Sequence, residues 1–123
     1  MNPDKEQCVA TTEAVRSLFA AYLAKDRSKA EALLADDFSF TSPWDDHIGR
    51  AQYFEKCWPH GADFQDIRIL KLIADGNEAF ATYEAKTKEG AVFRNTEFFH
   101  TNGTQVVSID VYFGRTLKEG SEK

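Results

Sequence analysis

The chain has 123 residues, of which 42% are apolar and 13% aromatic, and it carries a formal net charge of −5 at pH 7. This length and composition are typical of a single globular domain, residues 1–123, with enough apolar material to form a substantial core. The acidic balance argues against nucleic acid or an anionic membrane as a partner, since both bind basic surfaces, and no apolar run approaches membrane-spanning length.

The N-terminal segment and the cysteines predict a cytoplasmic protein without a metal. MNPDKEQCVATTE contains no apolar signal segment. In a reducing compartment, Cys8 and Cys57 are expected to be free thiols, and their spacing fits no metal motif. His47 and His60 lie on unrelated predicted elements, and neither an HxxxH nor an HxH pattern occurs. We therefore expect no metal and no other cofactor.

The first helix is predicted from apolar residues that recur at helical spacing between Val15 and Leu23. Two starting points are compatible with the sequence. Asn2-Pro3 could begin the helix early, because proline suits the first helical position, or the helix could begin near Thr12. It is predicted to end at Lys25-Asp26.

Two further helices are predicted before the middle of the chain. Ser28 and Glu31 match a capping box, which predicts a short helix over Lys29–Ala35. A short strand with alternating Phe38 and Phe40 follows. The third helix is predicted over Gly49–Trp58, because proline and glycine come directly after it.

The second half of the chain predicts a four-stranded antiparallel meander. Its strands are Asp63–Asp75, Glu78–Lys88 and the two strands of a hairpin over Ala91–Gly114. The apolar parity of the first of these strands switches at Ile69-Leu70, which indicates a β-bulge or a sharp bend. Helices on one face of an antiparallel sheet make an α+β domain.

The register of the last hairpin decides which way Glu97 faces. Asn102-Gly103 is the strongest short-range hairpin signal. A two-residue turn there places Glu97 opposite Ser108, whereas a bulged three-residue turn places it opposite Ile109, on the apolar face. Both turn lengths are common, so periodicity leaves the face of Glu97 open.

Three stretches together resemble the nuclear transport factor 2-like superfamily, and within it the SnoaL-like domains. They are LLADDFSFTSP (Leu33–Pro43), DHIGRAQYFEKCW (Asp46–Trp58) and FRNTEFFHTNGTQVVSIDVYFG (Phe93–Gly114), and the resemblance extends over about Val9 to Arg115. It implies three helices packed on a curved antiparallel sheet around a conical cavity, and a homodimer through the outer sheet face. Its members include isomerases, epoxide hydrolases, cyclases, dehydratases and a non-enzymatic transport factor, so the fold alone does not give the chemistry.

The resemblance also assigns residues to the cavity. Glu97 falls where ketosteroid isomerases keep an oxyanion-stabilising Asp, and Ile109 and Phe113 match residues that line their pocket. Tyr22 lies approximately at the position of their helix-1 tyrosine. This resemblance favours the bulged turn and an inward-facing Glu97.

Two departures from the resembled enzymes argue against their specific activities. Ser42 stands at the position of the ketosteroid isomerase general base, and a serine cannot shuttle that proton at neutral pH. Val111 stands where epoxide hydrolases of this fold keep an aspartate on the last strand.

Glu97 and Glu84 are the candidate cavity carboxyls. Desolvation among apolar neighbours would raise the pKa of Glu97 and make it a general acid or base, although a structural ion pair is an equal alternative. A turn at Glu89-Gly90 predicts that Glu84 neighbours Asn95 across the sheet. If both carboxyls point inward, their like charges raise one of the two pKa values.

The loop Trp44–His47 is predicted to lie at the cavity mouth, with an aromatic surface, two acids and an imidazole. Asp46 is expected to cap the third helix rather than to act on a ligand. The expected catalytic residues are therefore Glu97, Tyr22 and His47. The expected ligand-binding residues are Phe40, Ser42, Trp44, Tyr53, Trp58, Phe80, Glu84, Asn95, Ile109 and Phe113.

Three functions are compatible with this sequence. One is a cofactor-independent acid–base enzyme of the cyclase, isomerase or dehydratase type that acts on an apolar small molecule. Another is a ligand-binding module that performs no chemistry. A protein-interaction domain that uses the outer face of the sheet is the third.

Overall fold

The protein folds as three helices packed against one curved, mixed, six-stranded sheet, in a computed structural model that describes residues 3–59 and 64–118. This confirms the predicted α+β class. The elements are α1 (Pro3–Ala24), α2 (Arg27–Leu33), β1 (Leu34–Thr41), β2 (Ile48–Gly49), α3 (Arg50–Lys56), β3 (Phe64–Asp75), β4 (Glu78–Thr87), β5 (Val92–Thr101) and β6 (Val106–Lys118).

The sheet has the order β2-β1-β6-β5-β4-β3. The predicted meander is present, since β3 to β6 pair antiparallel in chain order. The expectation of a purely antiparallel sheet is wrong, because β1 runs parallel to β6, with Phe40 opposite Ile109. The other strands of the meander lie between β1 and β6 in the sequence, and local periodicity carries no information about so distant a partner.

The start of α1 agrees with one of the two predicted starts, whereas α2 and α3 are capped by other residues than predicted. α1 begins at Pro3, the earlier of the two predicted starts. Asp26, not Ser28, caps α2, since its carboxylate accepts a hydrogen bond from the Lys29 N–H at 3.2 Å. Gly49, not Asp46, is the N-cap of α3, which ends at Lys56.

A β-bulge at Leu70 bends β3, as predicted. Ile69 pairs with Tyr83 and Lys71 pairs with Thr82, so Leu70 has no partner opposite it on β4. A bulge of this kind increases the local bend and twist of a strand. The edge of the sheet therefore curves over the helices and encloses space beside them.

The β5–β6 hairpin adopts neither of the two predicted registers. The chain turns at Gly103-Thr104, closed by a 3.0 Å hydrogen bond from the Asn102 N–H to the Gln105 carbonyl, and Val107 is bulged out of the pairing. Glu97 consequently lies opposite Val111 instead of Ser108 or Ile109. This register differs by two residues from the bulged alternative, so it keeps Glu97 on the same, inner face.

The β4–β5 register differs by one residue from the prediction. The connection is a three-residue loop, because the Thr87 N–H donates to the Ala91 carbonyl at 2.9 Å. Glu84 therefore lies opposite Arg94 instead of Asn95. A slip of one residue moves a side chain to the other face, so Glu84 is on the outer surface of the sheet.

Small side chains on the inner face of β4 let α1 approach the sheet. Ala79, Ala81 and Ala85 are all buried there. Tyr83 is the one large residue in this row, and Phe19 of α1 packs edge-on against its ring with a centroid separation of 5.1 Å. The alternation of small and large residues leaves an open space beside Tyr83.

The close approach of β6 to β5 at Gly114 gives a testable prediction. A Cβ atom at Gly114 would lie 2.2 Å from the Arg94 carbonyl oxygen, so Gly114→Ala forces the strands apart. We expect a loss of about 3 kcal/mol in the free energy of unfolding, measured by urea titration. Gly49→Ala is the control, because a Cβ at Gly49 meets nothing within 4 Å, and its helix-capping cost is only about 1 kcal/mol. Equal losses for the two variants would contradict the close approach.

Candidate functional site

A cavity of about 410 Å³ lies between α1, α3, the Ser42–Asp45 turn and the inner face of the sheet. Its deep end is formed by β4 and β5, and its open side by the turn and the end of α3. The residues that line it are Phe19, Tyr22, Phe40, Ser42, Trp44, Asp45, Tyr53, Lys56, Cys57, Trp58, Phe64, Ile67, Tyr83, Asn95, Glu97, Val111 and Phe113.

A chain of hydrogen bonds fixes the polar floor of the cavity. The Tyr83 hydroxyl donates to Glu97 Oε2 at 2.7 Å, and Asn95 Nδ2 donates to the Tyr83 hydroxyl oxygen at 3.2 Å. Asn95 Oδ1 in turn accepts the Gly114 N–H at 3.2 Å. Each group therefore has a set orientation, and Glu97 presents its carboxyl to the cavity with only 7% of its surface exposed.

Burial raises the pKa of Glu97 to about 7, although the hydrogen bond from Tyr83 acts in the opposite direction by stabilising the carboxylate. Desolvation is the larger effect, because the surroundings are mostly apolar and aromatic. The carboxyl can therefore hold or release a proton near neutral pH, which is the property required of a general acid or base.

Tyr22 and Tyr53 form a hydroxyl pair beside this floor. They hydrogen-bond to each other across the gap between α1 and α3. Burial, followed by the nearby charge of Glu97, raises the pKa of Tyr22, and burial likewise raises that of Tyr53. Both hydroxyls therefore remain protonated. One hydroxyl hydrogen forms the hydrogen bond between the two tyrosines, so the other is available to a ligand.

Aromatic rings form the walls of the cavity. Tyr22 packs against Trp58 with ring centroids 5.5 Å apart, and Phe40 packs against Tyr53 at 4.9 Å. At the open side, Trp44 contacts the edge of Phe113 at 4.9 Å, although 82% of Trp44 is exposed. Such walls favour a flat, apolar ligand.

A polar group of four residues borders the open side. Ser42 and Asp45 close a tight turn by exchanging main-chain hydrogen bonds. The Asp45 carboxylate lies 3.7 Å from Lys56 Nζ and 4.0 Å from Cys57 Sγ. Burial, followed by the charge of Asp45, raises the pKa of the Cys57 thiol to about 11.

The structure brings together nine of the thirteen residues predicted for the site. These are Tyr22, Phe40, Ser42, Trp44, Tyr53, Trp58, Asn95, Glu97 and Phe113.

The other four residues lie elsewhere, which corrects their assignment. Phe80 and Glu84 face outward, Phe80 stacked on Phe98 and Glu84 paired with Arg94, because the one-residue difference in register reverses their side of β4. Ile109 is buried in the core beneath the cavity instead of lining it. His47 is directed to solvent, where it pairs with Asp46.

Eight lining residues were not predicted from the sequence. Tyr83 had a detectable signal, since it is the single large residue among the inward alanines of β4. Asp45 lies in the loop predicted at the cavity mouth, but it was not assigned to the ligand because aspartate before a helix is common for reasons of capping alone. The others are Phe19, Lys56, Cys57, Phe64, Ile67 and Val111.

Residues 3–59 and 64–118 contain neither a cluster of metal ligands nor a helix able to span a membrane. No group of three or more His, Cys, Asp or Glu side chains there is arranged to hold a metal ion. His60, considered above as a ligand, lies outside the described residues. No helix in the described part of the chain has both the length and the apolarity needed to cross a membrane.

The chain belongs to the SnoaL-like domain family, whose profile matches residues 15–109. This confirms the resemblance. None of the curated proteins compared with the chain matches it significantly.

Solved structures with low sequence identity share the fold. An NTF-2 like protein of unknown function from Burkholderia xenovorans has a TM-score of 0.77 at 17% identity, covering 98% of this chain and 92% of its own. A Kribbella flavida protein provisionally named a ketosteroid isomerase has a TM-score of 0.74 at 18% identity, covering 94% and 85%. A LEH-like epoxide hydrolase from M. tuberculosis has a TM-score of 0.71 at 17% identity, covering 86% and 84%.

Stability measured against pH tests the environment of Glu97. The folded protein binds this proton more tightly than the unfolded chain, so the contribution to stability is complete below about pH 4.5 and is lost as the pH rises through about 7. The difference corresponds to roughly 3 kcal/mol. We expect wild type to lose about this much free energy of unfolding relative to Glu97→Gln between about pH 4 and about pH 8. Urea titrations at each pH measure it.

Glu55→Gln is the matched control, because Glu55 is exposed on α3. This variant should keep the wild-type dependence on pH. Parallel curves for wild type and Glu97→Gln would contradict a raised pKa of Glu97.

Proposed function

We propose that the protein is a cofactor-independent acid–base enzyme, of the isomerase, cyclase or dehydratase type, that acts on an apolar small molecule carrying a carbonyl group. The observation that supports this proposal most directly is Glu97, a carboxyl with a pKa of about 7 at the floor of an aromatic cavity. A proton-transfer group works best when its pKa lies near the working pH.

The polar groups at the floor suit a carbonyl oxygen. Protonated Glu97 donates a hydrogen bond or a proton to that oxygen, and the free hydroxyl hydrogen of the Tyr22–Tyr53 pair supplies a second donor. Removal of a proton from the adjacent carbon places negative charge on the oxygen, and donors fixed in advance stabilise that charge. Tyr83 and Asn95 keep Glu97 in position throughout.

The walls define the class of ligand. A cavity of about 410 Å³ with aromatic rings on facing sides accommodates a small fused-ring or aromatic compound. Neutral ketones of this kind need no cationic clamp, which agrees with an interior whose polar groups are confined to the floor and the open side.

A non-catalytic ligand-binding module is the second candidate. The observation that favours it is Ser42, which lines the cavity at the position of the general base in the resembled ketosteroid isomerases but carries no acid. Such a module would bind the same apolar ligands and leave their C–H bonds intact, so binding and turnover must be measured separately.

Glu97→Gln separates the two candidates. Glutamine is nearly isosteric and cannot transfer a proton. We expect the variant to bind 2-naphthol, a planar mimic of an enol, with the affinity of wild type within a few fold. We also expect it to lose about a hundredfold in the rate at which 2-tetralone exchanges its C1 hydrogens for deuterium in D2O, followed by NMR.

Glu55→Gln is again the control and should exchange at the wild-type rate. Wild-type exchange should also decline above about pH 7, because Glu97 must be protonated to donate. If wild type binds 2-naphthol but does not accelerate exchange over buffer, the binding module is the correct reading.

We also propose that two copies associate through the outer face of the sheet. Phe80 and Phe98 stack there with ring centroids 4.7 Å apart, beside exposed Ile73 and Tyr112. Acidic residues border one side of this patch and basic residues the other, so a two-fold axis brings opposite charges together. The bordering residues are Glu78 and Asp110 on one side. On the other, net basic side they are Lys71 and the two arginines Arg68 and Arg94, which share the carboxylate of Glu84.

Phe80→Glu tests this association. A buried, unpaired carboxylate at the centre of the patch should dissociate the pair, so light scattering should change from about twice 13.9 kDa to 13.9 kDa. Val9→Glu is the control, because Val9 is 52% exposed on α1 and Phe80 51% exposed on the sheet. A monomeric wild type at micromolar concentration would contradict the proposal and leave the face available to a different partner.

A further inference from the structure

The cavity contains a second carboxyl group, on the side opposite the floor. Asp45 lines the cavity from the Ser42–Asp45 turn, and its side chain is 18% exposed. Glu97 lines the same cavity from β5. The two acids therefore face one enclosed space from different elements.

The hydrogen bonds that close the turn are made by main-chain groups and by the Ser42 hydroxyl, so the Asp45 carboxylate is left to line the cavity. The Ser42 N–H donates to the Asp45 carbonyl at 2.7 Å, and the Asp45 N–H donates to the Ser42 carbonyl at 3.2 Å. The Ser42 hydroxyl oxygen accepts the N–H groups of Trp44 and Asp45 at 3.1 and 3.3 Å. The Ser42 oxygen is thus committed to the turn, whereas the carboxylate of Asp45 has no role in it.

The two carboxyls have different electrostatic surroundings. Glu97 is enclosed by apolar groups and neutral hydroxyls, which favour its protonated form. Asp45 lies 3.7 Å from the Lys56 ammonium group at the solvent side. The surroundings of Glu97, buried and hydrogen-bonded to Tyr83, suit the acid role, and the position of Asp45 beside Lys56 suits the base role.

The charge of Asp45 also acts within the cavity. It contributes, after burial, to the raised pKa of the Cys57 thiol, whose Sγ lies 4.0 Å from Asp45 Oδ2. These groups border the space in which a ligand carbonyl would meet Glu97.

We propose that Asp45 is the general base of the site. It provides, three residues further along the chain, the carboxylate that is absent at Ser42. This inference rests on the proposed acid–base function. The C–H bond next to the ligand carbonyl breaks and its proton goes to the Asp45 carboxylate. The electron pair forms the C=C bond of an enolate, whose negatively charged oxygen accepts hydrogen bonds from protonated Glu97 and from the free hydroxyl hydrogen of the tyrosine pair. Return of the proton to the same or a conjugated carbon completes an exchange or an isomerisation, with no change in oxidation state.

The test compares Asp45→Asn with Asp46→Asn. Asp46 is the adjacent residue, but its side chain is 88% exposed and pairs with His47 instead of lining the cavity. The probes are 2-tetralone for deuterium exchange and 2-naphthol for binding, with Glu97→Gln measured in parallel. Thermal melting checks the fold of each variant.

We expect Asp45→Asn to melt close to wild type and to bind 2-naphthol within a few fold of wild type. Its exchange rate should fall by about a hundredfold, whereas Asp46→Asn should exchange at the wild-type rate. If Asp45→Asn exchanges normally while Glu97→Gln does not, the assignment of Asp45 is overturned and the proposed function remains. If wild type itself does not accelerate exchange, both are overturned.

Discussion

The burial of one carboxyl group, Glu97, is the constraint on which the arrangement of the site depends. Burying a neutral polar group without a hydrogen-bond partner costs roughly 1–3 kcal/mol by mutational measures, and burying an unpartnered carboxylate costs more. The hydrogen bond from Tyr83 offsets part of that cost, and Asn95 orients Tyr83. Asn95 is held by the main-chain N–H of Gly114. The orientation of Glu97 thus depends on a glycine that lets β6 approach the carbonyl of Arg94.

The cavity itself results from irregularities in the sheet. A flat sheet packed on helices at native density would leave no space of 410 Å³. The bulge at Leu70 bends the edge strand β3 while it stays paired with β4. The small alanines on the inner face of β4 leave open space beside Tyr83, the one large residue of that row. The overall fold is shared with structures of under 20% identity. Because that fold is compatible with several reactions and with binding alone, function has to be argued from the side chains inside it.

The sequence predicts faces better than it predicts registers. Alternation along β6 and the polar–apolar pattern of β5 limit Glu97 to two orientations, and the family resemblance favours the inner one. The pairing partner, Val111, depends on a bulge at Val107 that no periodicity reveals. The same limitation explains the wrong assignment of Phe80 and Glu84. A three-residue loop in place of a two-residue turn shifts the β4–β5 register by one residue, so both side chains lie on the outer face instead of the inner one. Asp45 escapes prediction for another reason, because its position in the cavity depends on how a loop closes.

The Ser42–Asp45 turn explains why an acid at position 42 would not serve this chain as a base. The N–H groups of Trp44 and Asp45 both point at the Ser42 hydroxyl oxygen. An aspartate at that position would accept the same two hydrogen bonds, since Asx and Ser/Thr turns are closed in the same way. Its carboxylate would then be committed to the loop and less basic toward a ligand. In this turn, Asp45 is the first acid whose carboxylate takes no part in closing the turn. Its two oxygens instead lie beside Lys56 Nζ and accept from the Cys57 thiol, at the open side of the cavity. In the proposed acid–base function, the geometry of a four-residue turn therefore determines which acid of the loop faces the ligand.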